Sequence, residues 1–408
     1  MRIQNLKFKI QNLLFPAILV LALSAGEVRA ALLGDILKPF ASVEETYDSN
    51  IFRVRDRDQL KALTGSDRLD DFITVWTVGT GIRYTLGGQG LNLLLKRDFI
   101  RFSRHGDQDA DSDTATGNLA LTVVDKVKIN IDGVYSKIPE SRAGYRSAGL
   151  NKITNIAGGI SAGYETTAGI GFEAAYRRVW VDFSLPELKA NEYSIDRYSG
   201  TVSYRLSTET KVYASYLRDY TNYDEDSQSA FGPVNNNSVS DSVRLGLDKT
   251  FSPKTSVSGY VGYLDRRYKA FSVSDFNGLI GRAEVRYGLT AKLGLLVNAE
   301  RQLYEETFTD RIYSVNDAVG ADLVYQITAK TKASVFDRLI WKRFKDIPDS
   351  GVPKRTDRLN EIGALIEWAP LGRLHLNLGY RYSRRTSDDH TFDFDDHTVT
   401  TGIGYDFR

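Results

Sequence analysis

No cysteine occurs among the 408 residues, and there are only one methionine and four histidines. The lack of thiols excludes disulfide scaffolds, thiolate zinc sites and cysteine nucleophiles. An excess of charge of one sign is also lacking: 53 Lys and Arg stand against 52 Asp and Glu, a formal net charge of +1. A general nucleic-acid binder would show a basic excess, so that partner class is excluded. Long hydrophobic runs are missing as well. Beyond residue 30 no stretch is apolar enough for a transmembrane helix, and the mean hydropathy is −0.31. Aromatic residues are not scarce, at 11%, which argues against disorder. By its average alone the chain looks too polar for a membrane; its pattern points the other way.

The first thirty residues read as a leader rather than as part of the fold. Arg2, Lys7 and Lys9 form a basic start, an apolar run from Leu13 to Ala25 follows, and Val28-Arg29-Ala30 offers a signal-peptidase site. An uncleaved anchor is the alternative, but spanning a bilayer takes roughly 20 apolar residues and this run is shorter. The expected plan is a secretory signal peptide over 1–30 and one unit over 31–408. Removing four basic residues and one acid leaves the mature chain at about −2.

Short turn signals punctuate that unit at a spacing of about forty residues. They are Gly87-Gly88-Gln89-Gly90, Asp125-Lys126, Thr166-Thr167-Ala168-Gly169, Ser207-Thr208-Glu209-Thr210, Ser252-Pro253-Lys254-Thr255, Thr290-Ala291-Lys292, Ala329-Lys330-Thr331 and Pro370-Leu371-Gly372. Between them lie longer polar segments at 48–69, 104–114, 139–150, 184–192, 225–237, 269–275, 308–313, 346–356 and 387–394. Nine long and eight short connections alternate, so seventeen connections join eighteen strands.

The segments between connections alternate with period two. In 72–86, Phe72, Trp76, Val78, Ile82, Tyr84 and Leu86 share one face; Thr77, Gly79, Gly81, Arg83 and Thr85 share the other. Leu374, Leu376, Leu378, Tyr380 and Tyr382 alternate with His375, Asn377, Gly379, Arg381 and Ser383. A soluble sandwich and a β-propeller also use alternating strands. Strands of about 12 to 15 residues, two per repeat, are too long for propeller blades; they suit a barrel that crosses a membrane, which needs at least 9 to 11. Tyr84, Tyr135, Tyr164, Tyr204, Tyr223, Tyr325 and Tyr382 fall near strand ends, where an aromatic girdle belongs. The expected fold is therefore all-β: a transmembrane antiparallel up-and-down β-barrel of about 18 strands, within 16–18.

Residues 40–52 read FASVEETYDSNIF. The portion Tyr47-Asp48-Ser49-Asn50-Ile51-Phe52 resembles the start of outer-membrane β-barrel porins found with exopolysaccharide biosynthesis operons. Length and the Tyr/Arg-rich hairpin style agree over nearly the whole mature chain. The last strand, 399–407, is similar to the assembly signal of outer-membrane barrels, which ends on an aromatic; here Arg408 follows Phe407. The resemblance implies an outer-membrane channel with an export or passage role for polysaccharide or oligosaccharide. It also implies contact with lipid and lipopolysaccharide and, through export, with periplasmic proteins.

Candidate pore-lining residues come from the polar face: Arg83, Glu173, Arg177, Arg205, Arg244, Arg282, Glu284, Arg286, Glu300, Glu361, Arg381 and Arg385. A mutually paired, solvated wall is the bland reading, and a selective strip such as Arg282, Glu284 and Arg286 is the sharper one. Facing is ambiguous near 211–223, 256–267 and 332–344. The first long loop, 48–69, carries a helix-like stretch at 59–64 and is the one candidate constriction, although an exposed mobile loop is the default expectation. Catalysis has little support. His105, His390 and His397 lie at or near loops, with carboxylates flanking the last two, but no nucleophile stands out. The acidic patches 107–113 and 388–396 match no defined calcium loop. No cofactor, metal or catalytic residue is assigned. A non-conducting scaffold for export machinery and an outer-membrane hydrolase are the competing function classes.

Overall fold

The computed structural model describes residues 36–407 apart from 125, 145–146, 226, 230–231, 271–273, 307–310 and 347–353. The expected leader over 1–30 lies outside the described residues. Eighteen antiparallel strands form one closed sheet. In chain order they are β1 Leu37–Asp48, β2 Asp71–Leu86, β3 Gln89–Phe102, β4 Ala110–Val123, β5 Val127–Pro139, β6 Lys152–Glu165, β7 Ile170–Phe183, β8 Tyr193–Ser207 and β9 Thr210–Tyr223. After a two-stranded loop hairpin (β10 Ser227–Ser229, β11 Gly232–Val234) come β12 Ser238–Ser252, β13 Thr255–Tyr268, β14 Phe276–Gly288, β15 Leu293–Glu305 and β16 Arg311–Thr328. The last four are β17 Thr331–Asp346, β18 Thr356–Leu371, β19 Leu374–Ser387 and β20 Phe394–Asp406. β1 pairs with both β2 and β20, with Val43 opposite Trp76 and Ile403, which closes the barrel. Closure joins every strand of the barrel to two neighbours, as a bilayer demands of backbone polar groups.

The strand count was legible because the short turns reuse one chemistry. Ser207, Ser252 and Thr328 each end a strand and accept, through the hydroxyl, the N–H two residues on, at 3.2, 3.2 and 3.1 Å. That bond shapes the turn locally. Gly87 and Gly88, at φ 53° and 84°, supply the two left-handed residues of a tight two-residue hairpin. Two long connections are shorter than expected: β4 already begins at Ala110 and β16 at Arg311.

Register fixes the faces, because directly opposed residues share one. Trp76, Val78, Tyr84 and Leu86 are exposed on the outside, as are Leu378, Ile403 and Tyr405. An apolar surface this continuous is a lipid-facing one. Tyr84, Tyr164, Tyr204 and Tyr325 mark its short-turn end, and Tyr198, Tyr216, Tyr263 and Trp341 its long-loop end. Tyr223 is a correction: it is buried and inward, not interfacial. The ambiguous strands have mixed outer faces. Their Arg218 and Arg267 reach Asp241 of β12 at 3.3 and 3.0 Å, and their Arg343 reaches Asp317 of β16 at 2.5 Å, which Arg301 of β15 also binds at 3.1 Å. These groups lie at the level of the upper girdle or beyond it. There, headgroups and water tolerate charge, and pairing lowers its cost further.

Some inward rings are accommodated only by glycine. A Cβ at Gly79 would overlap the Phe40 ring and come within 2.7 Å of the Leu95 carbonyl oxygen. Gly79→Val should therefore cost ~1–3 kcal/mol by overpacking. It should lower the temperature at which the folded band converts on a heat-modifiability gel. Gly90→Val, with nothing within 4 Å of its Cβ position, should leave that temperature unchanged.

Candidate functional site

The interior wall is polar along most of its height. By register, every candidate pore-lining residue falls on the face opposite the lipid-facing one. Most are already engaged. Arg177 binds Asp132 and Arg205 binds Glu165. Arg286 meets Glu284 at 2.7 Å and Arg282 meets it at 3.9 Å. Tyr304 donates to Glu300 at 2.8 Å and Ser383 to Glu361 at 3.3 Å. Arg83 donates to Asn92 and Arg381 to Thr398. Glu173 stands opposite Gly163 and Thr201. Arg385 is different: it is buried at the rim, where its guanidinium donates to the carbonyls of Phe392 and Ala143.

Sequence reasoning missed other members of the wall. Arg197 forms a two-pronged pair with Asp219 at 2.8 and 2.7 Å. Asp98 accepts from Thr77 and Ser112 and pairs with Lys96. Tyr213 and Tyr260 point inward, unlike the tyrosines of the two girdles. Register against β8 and β14 could have placed them. Their own strands could not, because charge occurs on both faces there.

The mouth is crossed by the first long loop, which is not a free surface loop. Asp56 caps helix α1, Arg57–Thr64, by accepting from the Gln59 N–H at 2.9 Å, and Gly65 at φ 78° ends it. Leu60 of this helix is fully buried with Ile51, Phe52 and Val54, against Ile73 and Phe102 of the wall. The Asp-x-Asn-Ile-Phe stretch builds the entry. Asp48 accepts from the Asn50 N–H at 2.9 Å, and the Asn50 amide donates to the carbonyls of Val54 and Asp395 at 2.7 and 3.0 Å. Arg53, at φ 54°, places its guanidinium 2.8 Å from Asp48 and 3.0 Å from Asp396. Burial works against its charge, but the bond to Asp48 and the charges of Asp48 and Asp396 prevail and raise its pKa above the usual value. Gln59 reaches the Thr391 carbonyl at 2.8 Å, and Arg142 of the third long loop stacks over Phe52.

A second intrusion comes from the wall itself. Pairing between β14 and β15 stops at Gly281 and Arg301. Beyond that rung β14 runs on against β13 as far as Phe276, and β15 against β16 as far as Glu305. The tip of the β15–β16 hairpin therefore leans inward. Its Tyr313 stacks on Tyr268, with Val315 and Leu303 in the same cluster. Glu305 binds Arg266 at 2.6 Å and accepts from the Tyr223 hydroxyl at 2.6 Å, which explains why Tyr223 is buried. Burial pushes the Glu306 carboxyl above its ordinary pKa, opposed by Lys342 at 2.8 Å.

The titratable clusters are spent on structure. His105 bonds Asp71 at 2.8 Å inside the mouth, and His390 bonds Asp393 at 3.0 Å on the surface. His397 bonds the Tyr380 hydroxyl at 2.9 Å. The two acidic patches are dispersed: Asp111 goes to Arg97 and Arg101, Asp389 caps Thr391, and Asp396 goes to Arg53. Asp182, Glu192 and Asp224, which no spacing singled out, bring carboxylates within 4.8 Å of one another at the rim.

The chain is similar in structure to the outer membrane protein OpdK from Pseudomonas aeruginosa, at 11% identity and a TM-score of 0.48, over 91% of this chain and 100% of that one. It is also similar to OccK9 (OpdG) of the same organism, at 10% identity and a TM-score of 0.49, over 91% and 98%. OccAB3 from Acinetobacter baumannii gives 11% identity and a TM-score of 0.48, over 91% and 99%. No curated protein matches. Residues 34–407 match the family described as "Putative beta-barrel porin 2", and the chain belongs to that family, whose members are porins, outer-membrane channels and not enzymes.

Proposed function

We propose that this porin passes oligosaccharide or exopolysaccharide through a hydrated lumen. The observation that carries the reading is the pairing of charge within the wall: Arg177 with Asp132, Arg197 with Asp219, and Arg282 and Arg286 with Glu284. Paired charges set a polar lining without a deep well for a small ion. Between them stand half-buried inward hydroxyls such as Thr201 of β8, Ser215 of β9 and Ser258 of β13, which suit sugar hydroxyls. The resemblance of residues 40–52 to polysaccharide-operon porins points the same way. Movement would be passive, because the chain carries no nucleotide-binding motif. The leader over 1–30 would deliver the chain to the periplasm, and lipopolysaccharide would surround its upper girdle.

A non-conducting scaffold for export machinery is the second reading. It is favoured by the bonds across the mouth, where the first, third and last long loops meet at Phe52, Arg142, Arg385 and Thr391. Planar-bilayer recording on the purified chain separates the two. Discrete conductance steps, reduced by added polysaccharide, are the expected result. A barrel that inserts but stays electrically silent belongs to the scaffold reading.

A further inference from the structure

Gly246 of β12 lies on one rung between Tyr213 of β9 and Tyr260 of β13. A Cβ at 246 would overlap the end of the Tyr213 ring. The ring therefore lies over bare glycine backbone, flat against the inner wall. Arg244, the next inward residue of β12 toward the mouth, stacks its guanidinium on Tyr260 with 4.8 Å to the ring centroid. The Tyr260 hydroxyl is held in turn by the Gln302 amide. Among the described residues Arg244 makes no ion pair, and its Nε meets no acceptor.

A packing role alone does not account for this. Arg266, on the neighbouring strand, stacks on Tyr268 at the same 4.8 Å, but there the guanidinium is also bound to Glu305 and Ser238 and is buried. Arg197, nearby, is matched by both oxygens of Asp219. Arg244 keeps the stack and has no carboxylate.

We infer that Tyr213, Tyr260 and Arg244 form a transit site for acidic saccharides, with one uronate unit as the recognised group; the inference rests on the saccharide reading of the lumen. An aromatic face takes up the C–H face of a sugar ring, with the apolar area and geometry that make aromatic side chains effective contacts. A guanidinium binds a carboxylate through two parallel N–H donors. The rings flank the rung of Gly246 and the guanidinium comes from the next inward position of β12, close enough for one sugar unit to meet both. A neutral sugar would use the ring alone, and a small anion the guanidinium alone.

The test uses the full mature chain in detergent for calorimetric binding and in planar bilayers for current block, with trigalacturonate, maltotriose and benzoate as probes. Trigalacturonate should bind and block at concentrations about tenfold or more below the other two, the gain expected of a charge-assisted hydrogen bond. Arg244→Gln should bring trigalacturonate to the maltotriose level, with Arg244→Lys recovering part of the difference. Tyr213→Ala should weaken both sugars together. An unchanged heat-modifiability shift in each variant shows that the barrel is intact. Equal binding of trigalacturonate and maltotriose by the wild type, or of benzoate and trigalacturonate, overturns the site even if the channel conducts. Absence of conductance overturns the channel reading, while calorimetry still decides the site.

Discussion

Arg53→Ala should release the first long loop from the mouth. The guanidinium stands between Asp48 and Asp396, which are 6% and 0% exposed. Removing it leaves two buried carboxylates facing each other with their shared counter-charge gone. Breaking a buried pair by deleting one partner costs ~3–5 kcal/mol. The loop absorbs the loss by leaving, since the strands below are held by ladders on both sides. A protease selective for apolar residues should then cut beside Leu60 and Leu63 in liposome-inserted protein, and single-channel conductance should rise. Arg55→Ala is the control: Arg55 is half-exposed and, among the described residues, its ion pair is with its neighbour Asp56, so its loss should be worth within ~1 kcal/mol. If the loop stays resistant and the conductance stays the same in Arg53→Ala, the guanidinium does not hold it.

Leu378→Arg should cost ~2–4 kcal/mol when the barrel is refolded into lipid, whereas Asn377→Arg should cost little. Leu378 is 54% exposed on β19, between Tyr405, opposite Leu374, and Tyr382, and it stands opposite Ile366 and Thr401 on the lipid-facing side. A cation there must be carried into hydrocarbon. Asn377 faces the lumen opposite Glu367 and Gly402, where an added cation meets water and a carboxylate. A urea titration in lipid vesicles reads both. Equal costs would mean that the two faces have been interchanged.

Both predictions rest on features that differ in how far the sequence disclosed them. The face of β19 was legible, because leucine and tyrosine alternate there with polar residues without a break. The turns were legible for a local reason: a hydroxyl two residues ahead of a free N–H needs no tertiary partner. The strands near 211–223, 256–267 and 332–344 were not, because their outer faces carry Arg218, Asp265, Arg267, Asp337 and Arg343 while their inner faces carry Leu217, Leu264 and Ile340. Alternation is the only signal a strand sends, and charge on both sides erases it. The mouth was opaque for another reason. Arg53 finds Asp396 and Tyr223 finds Glu305 across long stretches of chain, and no local pattern announces such partners. The helix-like stretch near 59–64 was visible, but not the burial of Leu60 that keeps it in place.

A closed barrel leaves no strand edge bare, and among the described residues the longest lapse from that rule lies between β14 and β15. Above Gly281 and Arg301, β14 and β15 both continue with no ladder between them. One carbonyl on that stretch of β14, that of Leu279, is capped instead by the Arg301 Nε at 3.1 Å. The wall has exchanged rungs of backbone hydrogen bonds for a tyrosine stack and an ion pair. Backbone rungs are indifferent to sequence; the contacts that replace them are not. The barrel elsewhere can drift in composition while keeping its alternation, but the seam between β14 and β15 ties its shape to the identities of Arg266, Tyr268, Glu305 and Tyr313.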